Sequence, residues 1–449
     1  MDEFERAARM ASAYLERVPD RPVWRPVPDR TWLTEQEMPD RGRPLARLLD
    51  DIGEFVLPHP MGNGHPRFFG WVNSPPSQAG VAVAPLAAAF NPSTAGGDQA
   101  GVLLERTAVR WLAELVGFPH PPGGGLLTSG ASMATIVALS AARRRALPDV
   151  RENGLYGRAP LVMYLSEEGH SCLRKAAELL GLGSANLHVV PVDAAYRMDP
   201  AALRARIERD LADGARPFLV AASAGTVNTG AVDPLAEIAA VAREHGLWFH
   251  VDGAYGALAA VTGDPVFEGM AEADSLALDP HKWLGVPVDC GCVLFRDPAL
   301  VRDTFSLVPP YLRDDEGDPL GWFSEYGIEQ TRPFRALRVW ATIAHRGRAG
   351  VVELVRRTTG LARTLAGMVE ESGDFELMAP VTTSIVAFRY TPADLPGLPA
   401  AVQRRGRAFI TGTRLGGLAA LRACILHPET TEADLAILLD EIRLAAKEL

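Results

Sequence analysis

Lys282 lies in the stretch of this chain that is best placed to do chemistry. It follows a short apolar run, Leu276 to Leu278, and a break at Asp279-Pro280, where proline cannot continue a sheet ladder. A lysine held among apolar neighbours loses its proton easily, because burial disfavours the charged form. The neutral amine is a nucleophile that forms Schiff bases with carbonyl compounds. Most lysines after a turn are surface residues, so the catalytic interpretation depends on partner groups elsewhere in the chain.

Three further motifs supply candidate partners. Asp252 ends the apolar segment 247–251, and the small residues after it would let a flat ligand lie close to the backbone, although an Asp here can also be a cap. The turn Thr128-Ser-Gly-Ala-Ser132 precedes an apolar helical segment, and a helix N-terminus offers free N–H groups to an anion. His170 follows the strand candidate 161–165, where a lone histidine is more often structural than catalytic.

Taken together, these groups match the needs of one cofactor. Pyridoxal phosphate requires a lysine for its aldehyde, an anion cradle for its phosphate and a carboxylate for its pyridinium nitrogen. On these motifs the chain resembles the fold-type I pyridoxal-phosphate enzymes, and more narrowly the group II amino-acid decarboxylases, which include the aromatic-L-amino-acid and glutamate decarboxylases. The segments that carry the resemblance are Thr128-Ser-Gly-Ala-Ser-Met-Ala134, Glu168-Gly-His170, His250-Val-Asp-Gly-Ala-Tyr255, Asp279-Pro-His-Lys-Trp-Leu284 and Asp289-Cys-Gly-Cys-Val-Leu294.

The resemblance implies a role for each matching residue. Lys282 would hold the cofactor, and Asp252 would pair with its ring nitrogen. His170 would stack on one face of the ring, while Ala254 would support the other. The full set of implied cofactor contacts is Gly130, Ala131, Ser132, His170, Thr226, Asp252, Ala254, Asp279, His281 and Lys282.

Two of these positions depart from the family pattern. Asp279 stands where many relatives carry an asparagine near the phosphate. Val227 follows Thr226, where the family favours a second threonine. The electrostatic partner of Asp279 is therefore an open question at the level of sequence.

Two segments resemble those that bind the substrate. Trp71 and Val72 fall where the aromatic-acid enzymes carry large apolar side chains, and Ser74 falls at a hydroxyl that contacts the substrate carboxylate. Asn91 and Ser93 match a loop that reaches the site from the other subunit, and they are more polar than the aromatic-acid enzymes have there. This mixture argues against a purely aromatic substrate preference.

Tyr311 is the candidate proton donor. It lies in a polar, proline-containing segment that predicts a loop, and by position alone it is an ordinary loop tyrosine. The resembled family carries a tyrosine in a flexible catalytic loop at this place. After CO₂ leaves, the α-carbon must be protonated, and general acid help of this kind supplies roughly 10²–10⁴-fold. The implied catalytic residues are therefore Lys282, His170, Asp252 and Tyr311.

The composition narrows the classes of function. The chain has 449 residues with 47% hydrophobic and 22% charged content, which is ordinary for a soluble globular protein with room for two domains. A net charge of −10 without a Lys/Arg-rich run argues against nucleic acid, and no apolar segment approaches a membrane span. The acidic start lacks an apolar secretory core, which predicts a cytoplasmic location. The four cysteines fit neither a disulfide framework nor a zinc knuckle, so no metal is expected.

The elements that would position these residues follow an α/β pattern. Continuous apolar runs alternate with helices between Leu126 and Arg296, which predicts a sheet covered on both faces with ligands at the carboxyl ends of its strands. The strand candidates are 161–165, 188–192, 218–222, 247–251, 276–278 and 292–295, and the helices between them include 171–180, 200–212 and 234–245. Later segments predict helices over 336–345, from 350 to about 372 and over 432–447, with strands at 375–378, 385–390 and 421–426.

The resemblance turns this pattern into a specific expectation. The fold is expected to be that of fold-type I enzymes, with a mostly parallel seven-stranded-type sheet in a large domain and a small C-terminal α/β domain. The expected segments are 1–60 as an N-terminal helical dimerisation segment, 61–345 as the cofactor-binding domain and 346–449 as the small domain. The expected partners are a small amino-acid substrate and a second copy of the chain, with the sites at the subunit interface.

The predicted function is an L-amino-acid α-decarboxylase that releases CO₂ and an amine from an aromatic or other apolar amino acid. One alternative keeps the cofactor but changes the outcome, as in an aldehyde synthase or another carbon–carbon lyase. The other alternative is a cofactor-binding scaffold without activity. Residue types alone leave these alternatives open.

Overall fold

The computed structural model describes residues 2–307 and 319–449. In these ranges the α-helices are α1 (Glu3–Arg17), α2 (Thr31–Thr34), α3 (Leu45–Asp51), α4 (Gln78–Phe90), α5 (Ala100–Val116), α6 (Ala131–Ala146), α7 (Val150–Asn153), α8 (Ser171–Leu179), α9 (Pro200–Ala212), α10 (Leu235–Glu244), α11 (Pro298–Phe305), α12 (Arg335–Glu371), α13 (Leu398–Arg405) and α14 (Glu432–Ala446). The strands are β1 (Gly125–Thr128), β2 (Leu161–Ser166), β3 (Leu187–Val190), β4 (Arg216–Ser223), β5 (Trp248–Asp252), β6 (Ser275–Leu278), β7 (Gly291–Phe295), β8 (Phe375–Leu377), β9 (Ile385–Tyr390), β10 (Thr411–Leu415) and β11 (Leu418–Cys424).

The described chain forms two compact units. The larger unit contains the described part of Pro76–Arg357 together with Ala379–Thr383. The smaller unit contains residues 2–75 with Thr358–Met378 and Ser384–Leu449. The division into segments 1–60, 61–345 and 346–449 stays a prediction about domains.

The larger unit is organised around a seven-stranded sheet in the order β1-β7-β6-β5-β4-β2-β3. Strands β3, β2, β4, β5 and β6 pair in parallel, whereas β7 is antiparallel to both β6 and β1. All residues of β2, β5, β6 and β7 are buried, as expected for strands covered on both faces. The predicted mostly parallel α/β sheet and the fold-type I architecture are confirmed.

The antiparallel direction of β7 has a simple cause. The connection from β6 to β7 spans residues 279–290 and contains turns but no helix. Parallel strands need a crossover that carries the chain back along the sheet, usually through a helix. This connection has no helix and reverses the chain at the same edge of the sheet, so β7 runs in the opposite direction to β6. The same connection contains Lys282.

Helix α12 contains a break inside its long span. Gly347 has non-helical backbone angles, with φ at 68° and ψ at 165°. Glycine adopts such a positive φ without the clash that a Cβ atom causes. The sequence predicted two separate helices, 336–345 and 350–372, and the break lies in the gap between them.

The smaller unit is built on a four-stranded antiparallel sheet in the order β10-β11-β9-β8. Its N-terminal segment joins the same unit, because Phe68 stacks on Phe409 with ring centroids 4.7 Å apart. Arg67 also pairs with Asp434 at 3.3 Å. Among the described residues, no helix is both long and apolar enough to cross a lipid bilayer.

Candidate active site

Lys282 lies in a tight turn just beyond the carboxyl end of β6. Its backbone N–H donates to the carbonyl oxygen of Asp279 at 2.9 Å, and Gly285 N–H donates to the carbonyl oxygen of Lys282 at 3.0 Å. The side chain is 22% exposed, and its Nζ lies 3.1 Å from Asp279 Oδ2. The amine is therefore held by a short ion pair at the end of the sheet where ligands bind in α/β folds.

The structure shows which groups pair electrostatically with Asp279, a question that the sequence left open. Its side chain is 4% exposed, and Oδ2 faces both Lys282 Nζ and, at 3.7 Å, His281 Nε2. The other oxygen, Oδ1, is buried without a hydrogen-bond partner among the described residues. His281 is fixed in turn, because its Nδ1 accepts a hydrogen bond from Cys290 N–H at 3.1 Å.

Asp252 ends β5 in a buried position, with 7% of its surface exposed. Its Oδ1 accepts a hydrogen bond from Ala254 N–H at 3.1 Å, which shapes the turn after the strand. The carbonyl oxygen of Ala254 then accepts from Asp279 N–H at 3.1 Å. These bonds connect the predicted ring-nitrogen partner to the turn that carries Lys282.

Two buried side-chain contacts support the turns that carry Asp252 and Lys282. Tyr255 and Trp283 stack with ring centroids 5.0 Å apart and an interplanar angle of 11°. Ser275 on β6 bonds to His250 Nδ1 on β5 at 2.8 Å. Burial lowers the pKa of His250 to about 4, so this ring is neutral near pH 7. The family motifs contain His250, Tyr255 and Trp283, but sequence reasoning gave these three residues no supporting role.

The predicted anion cradle lies at the start of α6. Gly130 is its N-cap, and the first N–H groups of a helix lack partners inside the helix. Thr128 Oγ1 donates to the carbonyl oxygen of Gly130 at 3.0 Å. Gly291 on β7 packs against this turn so closely that a methyl group there would lie 2.5 Å from the Gly130 backbone. Neither glycine adds a side chain to this turn, so the backbone at Gly130, Ala131 and Ser132 forms a seat that is bordered by Asp279 and His281.

His170 is the N-cap of α8, directly beyond β2. Its Nδ1 accepts a hydrogen bond from Cys172 N–H at 3.2 Å. His170, Cys172 and Asp252 each contribute one side-chain atom to a cluster in which all three atoms lie within 4.8 Å of one another. The structure brings His170 and Asp252, two predicted cofactor contacts, into one cluster, and their roles toward the cofactor stay predictions.

Cys172 is a member of this cluster that sequence reasoning missed. Its Sγ lies 3.9 Å from Asp252 Oδ2 and 3.8 Å from Thr135 Oγ1. Burial, followed by the nearby Asp252 carboxylate, raises the pKa of the thiol to about 12, so sulfur keeps its proton near neutral pH. Its position two residues after His170, in the first turn of α8, was the available signal.

Thr226 is buried in the larger unit, but its hydroxyl has local partners. It lies 2.9 Å from Thr229 Oγ1 and accepts a hydrogen bond from Ala231 N–H at 3.2 Å. To contact the cofactor, this hydroxyl would have to do so in addition to its hydrogen bonds with Thr229 and Ala231. The assignment of Thr226 to the cofactor stays a prediction.

The predicted substrate residues divide between the two units. Trp71, Val72 and Ser74 belong to the smaller unit, where Trp71 is 47% exposed with φ at 46° and packs on Phe409 at 5.2 Å. Val72 and Ser74 are buried there. The structure therefore presents the Trp71 ring to solvent from its unit, and its role toward a substrate stays a prediction.

Asn91 and Ser93 belong to the larger unit and follow α4 directly. Asn91 caps α4 in the left-handed region with φ at 44°. Ser93 Oγ accepts a hydrogen bond from Arg332 N–H at 3.3 Å. Both residues are exposed, so this short loop is fixed at its base and open to solvent at its surface.

Arg332 holds the base of that loop through a buried network. Its Nη1 donates to the carbonyl oxygen of Thr94 at 3.1 Å, and its guanidinium forms an ion pair with Glu105 at 2.5 Å. Both charged side chains are at most 1% exposed. Glu105 also accepts a hydrogen bond from Leu127 N–H at 2.9 Å, so the loop and β1 share one support that sequence reasoning missed. Tyr311 lies outside the described residues.

The residues of the larger unit fit pyridoxal phosphate. The bare backbone seat at Gly130 and Gly291 suits a phosphate, and the buried carboxylate of Asp252 suits a protonated ring nitrogen. Lys282 supplies the amine for the aldehyde. All implied cofactor contacts belong to this one unit.

Comparison with known proteins agrees with this geometry. The family model described as the pyridoxal-dependent decarboxylase conserved domain matches residues 28–391. An aromatic-L-amino-acid decarboxylase from Bacillus atrophaeus is 34% identical over 440 residues, covering 94% of this chain and 89% of the relative.

Solved structures agree as well. Oryza sativa TDC with PLP and tryptamine superposes with a TM-score of 0.92 at 26% identity, covering 99% of this chain and 97% of the other. Rhodiola rosea 4-hydroxyphenylacetaldehyde synthase superposes with a TM-score of 0.88 at 26% identity, covering 100% and 97%.

Proposed function

Because the chain belongs to the pyridoxal-dependent decarboxylase family, with pyridoxal 5′-phosphate as its cofactor, we propose that it is an L-amino-acid α-decarboxylase. It converts an amino acid to an amine and CO₂. The observation that supports this most strongly is the convergence of His170, Asp252 and Cys172 at the strand ends, next to the turn that carries Lys282.

Each side chain has a defined task in this proposal. When bound, pyridoxal phosphate withdraws electrons from the bonds of the attached α-carbon, which protein side chains cannot do. Lys282 Nζ supplies the amine that takes the aldehyde, and Asp279 holds that amine at 3.1 Å beforehand. The Asp252 carboxylate keeps the ring nitrogen protonated, since a nearby anion favours the charged form. His170 covers one ring face and Ala254 supports the other.

The anion seat orients the cofactor. The backbone N–H groups at the start of α6, with the Ser132 hydroxyl, are the proposed phosphate donors. The helix dipole adds a partial positive charge at the same end. We propose that this seat fixes the distance between the phosphate and the Lys282 turn.

The proposed substrate is an aromatic or other apolar L-amino acid. The relative from Bacillus atrophaeus is named for aromatic L-amino acids, and the Oryza sativa structure contains tryptamine. The apolar, exposed Trp71 ring supports an apolar substrate side chain, whereas the polar residues Asn91 and Ser93 support a wider range of substrates than aromatic amino acids alone.

A second copy of the chain is the proposed partner. Helix α4 is apolar over nearly its whole length, yet Gly80 is the one residue of this helix that is buried. Leu86 and Phe90 are 51% and 66% exposed. Large contiguous apolar surfaces on one protomer mark association sites. The loop with Asn91 and Ser93 directly follows α4, so this interface would carry it toward the partner's site. A cytoplasmic location stays a prediction.

One experiment tests the cofactor assignment and the activity together. The wild-type protein, reduced with borohydride and digested, is expected to carry a pyridoxyl group on Lys282 in mass spectra, and Lys282→Ala is expected to carry none. The wild-type enzyme is then screened against the twenty amino acids plus ornithine, diaminobutyrate and dopa for amine and CO₂. A modified Lys282 without any amine product would favour the inactive scaffold.

An aldehyde synthase is the second candidate, because one structural neighbour is a 4-hydroxyphenylacetaldehyde synthase. The two activities differ in co-substrate and products: the decarboxylase gives an amine and CO₂, whereas the aldehyde synthase also consumes O₂ and water and gives an aldehyde, ammonia, CO₂ and hydrogen peroxide. Tyr311 remains the proposed proton donor to the α-carbon. Tyr311→Phe is expected to lower the amine yield and raise the aldehyde yield. An unchanged amine yield with no aldehyde would remove Tyr311 from the mechanism.

A further inference from the structure

The cluster of His170, Cys172 and Asp252 contains the three ligand types that a thiophilic divalent cation prefers. Imidazole nitrogen, thiolate sulfur and carboxylate oxygen are all common zinc ligands. The three candidate donor atoms lie within 4.8 Å of one another in this structure. Cys172 in α8 and Asp252 at the end of β5 are both buried, whereas His170 is exposed to solvent.

The spacing is close to that of a tetrahedral zinc site. With zinc bonds of about 2.3 Å to sulfur and 2.1 Å to oxygen, two ligands at the tetrahedral angle lie about 3.6 Å apart. Cys172 Sγ and Asp252 Oδ2 are 3.9 Å apart. The two atoms would therefore have to approach by only about 0.3 Å to reach this spacing.

The charges also balance. The Cys172 thiol would lose its proton to solvent, because a coordinating thiol is deprotonated by the metal. A thiolate and the Asp252 carboxylate together neutralise a dication, and a neutral imidazole completes the set. The ion would take the Nδ1 lone pair of His170 in place of the hydrogen bond from Cys172 N–H, or Nε2 after the ring turns. One position stays open for water.

We propose that the cofactor-free chain binds a thiophilic divalent cation, such as Zn²⁺ or Cd²⁺, through His170, Cys172 and Asp252, and that this ion excludes pyridoxal phosphate. The exclusion rests on the proposed cofactor contacts, because Asp252 cannot hold both the ion and the ring nitrogen. His170 likewise cannot ligate the ion while it stacks on the ring. The metal would be an inhibitor of cofactor loading and no part of the reaction.

The direct test uses Cd²⁺ on the protein after its cofactor has been stripped. One equivalent per chain is expected to give the near-ultraviolet cadmium–thiolate charge-transfer band. Cys172→Ser is expected to lose the band. Cys424→Ser is the matched control, since Cys424 is also buried but lies on β11 of the smaller unit, and it is expected to keep the band. A band that persists in Cys172→Ser, or no band in the wild type, would overturn the proposal.

Competition between Zn²⁺ and pyridoxal phosphate tests whether the ion excludes the cofactor. This test uses only the wild-type protein, so it remains valid even if Cys172→Ser folds poorly. With free Zn²⁺ at ten times its own Kd, the apparent Kd of pyridoxal phosphate is expected to rise about 11-fold, and a chelator is expected to reverse the rise. An unchanged Kd would refute the shared site. Neither measurement uses a substrate, so failure of the decarboxylase proposal would leave the cadmium band unaffected.

Discussion

At the scale of single residues, Asp279 is the position that bears most directly on the proposed cofactor site. Its Oδ2 holds the Lys282 amine, while its Oδ1 is buried beside the Gly130 seat without a partner among the described residues. A carboxylate here both stabilises the free ammonium group and faces the place proposed for a phosphate. Each effect favours the cofactor-free state over the loaded one.

We therefore expect Asp279→Asn to bind pyridoxal phosphate more tightly. Removing the negative charge relieves repulsion with the phosphate and releases the Lys282 amine. The expected gain is about tenfold in Kd, which corresponds to roughly 1.4 kcal/mol. Titration of the stripped protein by cofactor fluorescence measures it. Weaker binding by the variant would mean that Asp279 helps to hold the phosphate.

The missed residues show what sequence could and could not provide at this scale. Lys282, Asp252 and His170 were predicted because their chemistry is distinctive and each follows an apolar strand. Cys172 was missed because its role depends on Asp252, which is 80 residues away in the sequence and ends a different element, β5. A buried thiol has no local pattern that distinguishes it from an ordinary core cysteine.

At the scale of elements, the segment between β4 and α10 contains a buried carboxylate, that of Asp233. Asp233 is 1% exposed and accepts hydrogen bonds from Met198 N–H and Ser223 N–H, both at 2.7 Å. Burial raises its pKa to about 6 from the usual 3.8. The folded state therefore holds this proton more tightly than the unfolded state does.

The sign of the pH effect follows from that shift. The stability contributed by protonated Asp233 is fully present below about pH 4 and is lost as the pH rises through about 6. Relative to Asp233→Asn, which does not titrate, wild-type stability is expected to fall by up to about 3 kcal/mol between pH 4 and pH 7. Denaturant unfolding of both proteins measures the difference, in which other titrating groups cancel. A constant difference would show that Asp233 ionises normally.

The break in α12 gives a second test at this scale. Gly347 has φ at 68°, and a methyl group there would meet no described heavy atom within 4 Å. Gly347→Ala should therefore lower the free energy of unfolding through backbone strain alone, by about 1 kcal/mol. Gly360, on the same helix and equally uncrowded, has no positive φ. Gly360→Ala should raise stability by roughly 0.5–1 kcal/mol. Equal effects from both would contradict the break.

Element prediction succeeded where the signal was local. The apolar runs predicted six of the seven strands of the larger sheet, and β1, Gly125–Thr128, was missed. The polar strand β10, Thr411–Leu415, was missed because its place is set by pairing with β11 and not by its own residues. The antiparallel direction of β7 could not be predicted either, because local periodicity carries no information on strand direction.

At the scale of the whole molecule, the N-terminal segment shows the limit of sequence reasoning. Phe68 packs on Phe409, a contact between residues 341 positions apart. Neither residue's neighbourhood in the sequence indicates the other, so this contact could not be predicted from local patterns. Residues 61–75 lie in the compact unit that includes the C-terminal sheet.

The exposed face of α4 provides the prediction for assembly. Leu86→Glu is expected to convert a homodimer to monomers, because burying a charge in an apolar interface without a partner is costly. Sedimentation velocity at micromolar protein measures the shift. Leu211→Glu is the control, since it makes the same substitution at a leucine of similar exposure, 49%, on a different helix of the same unit, α9. A wild type that sediments as a monomer would refute the proposed partner.

Four widely separated stretches of chain, around residues 130, 170, 252 and 282, converge on one seat in the larger unit. A molecule that binds all four braces the folded state against opening. At a thousand times its Kd, such a ligand adds about 4 kcal/mol to stability. In a cell short of vitamin B6, this protein would therefore lose abundance as well as activity, because the cofactor-free chain unfolds more often and is then degraded by proteases.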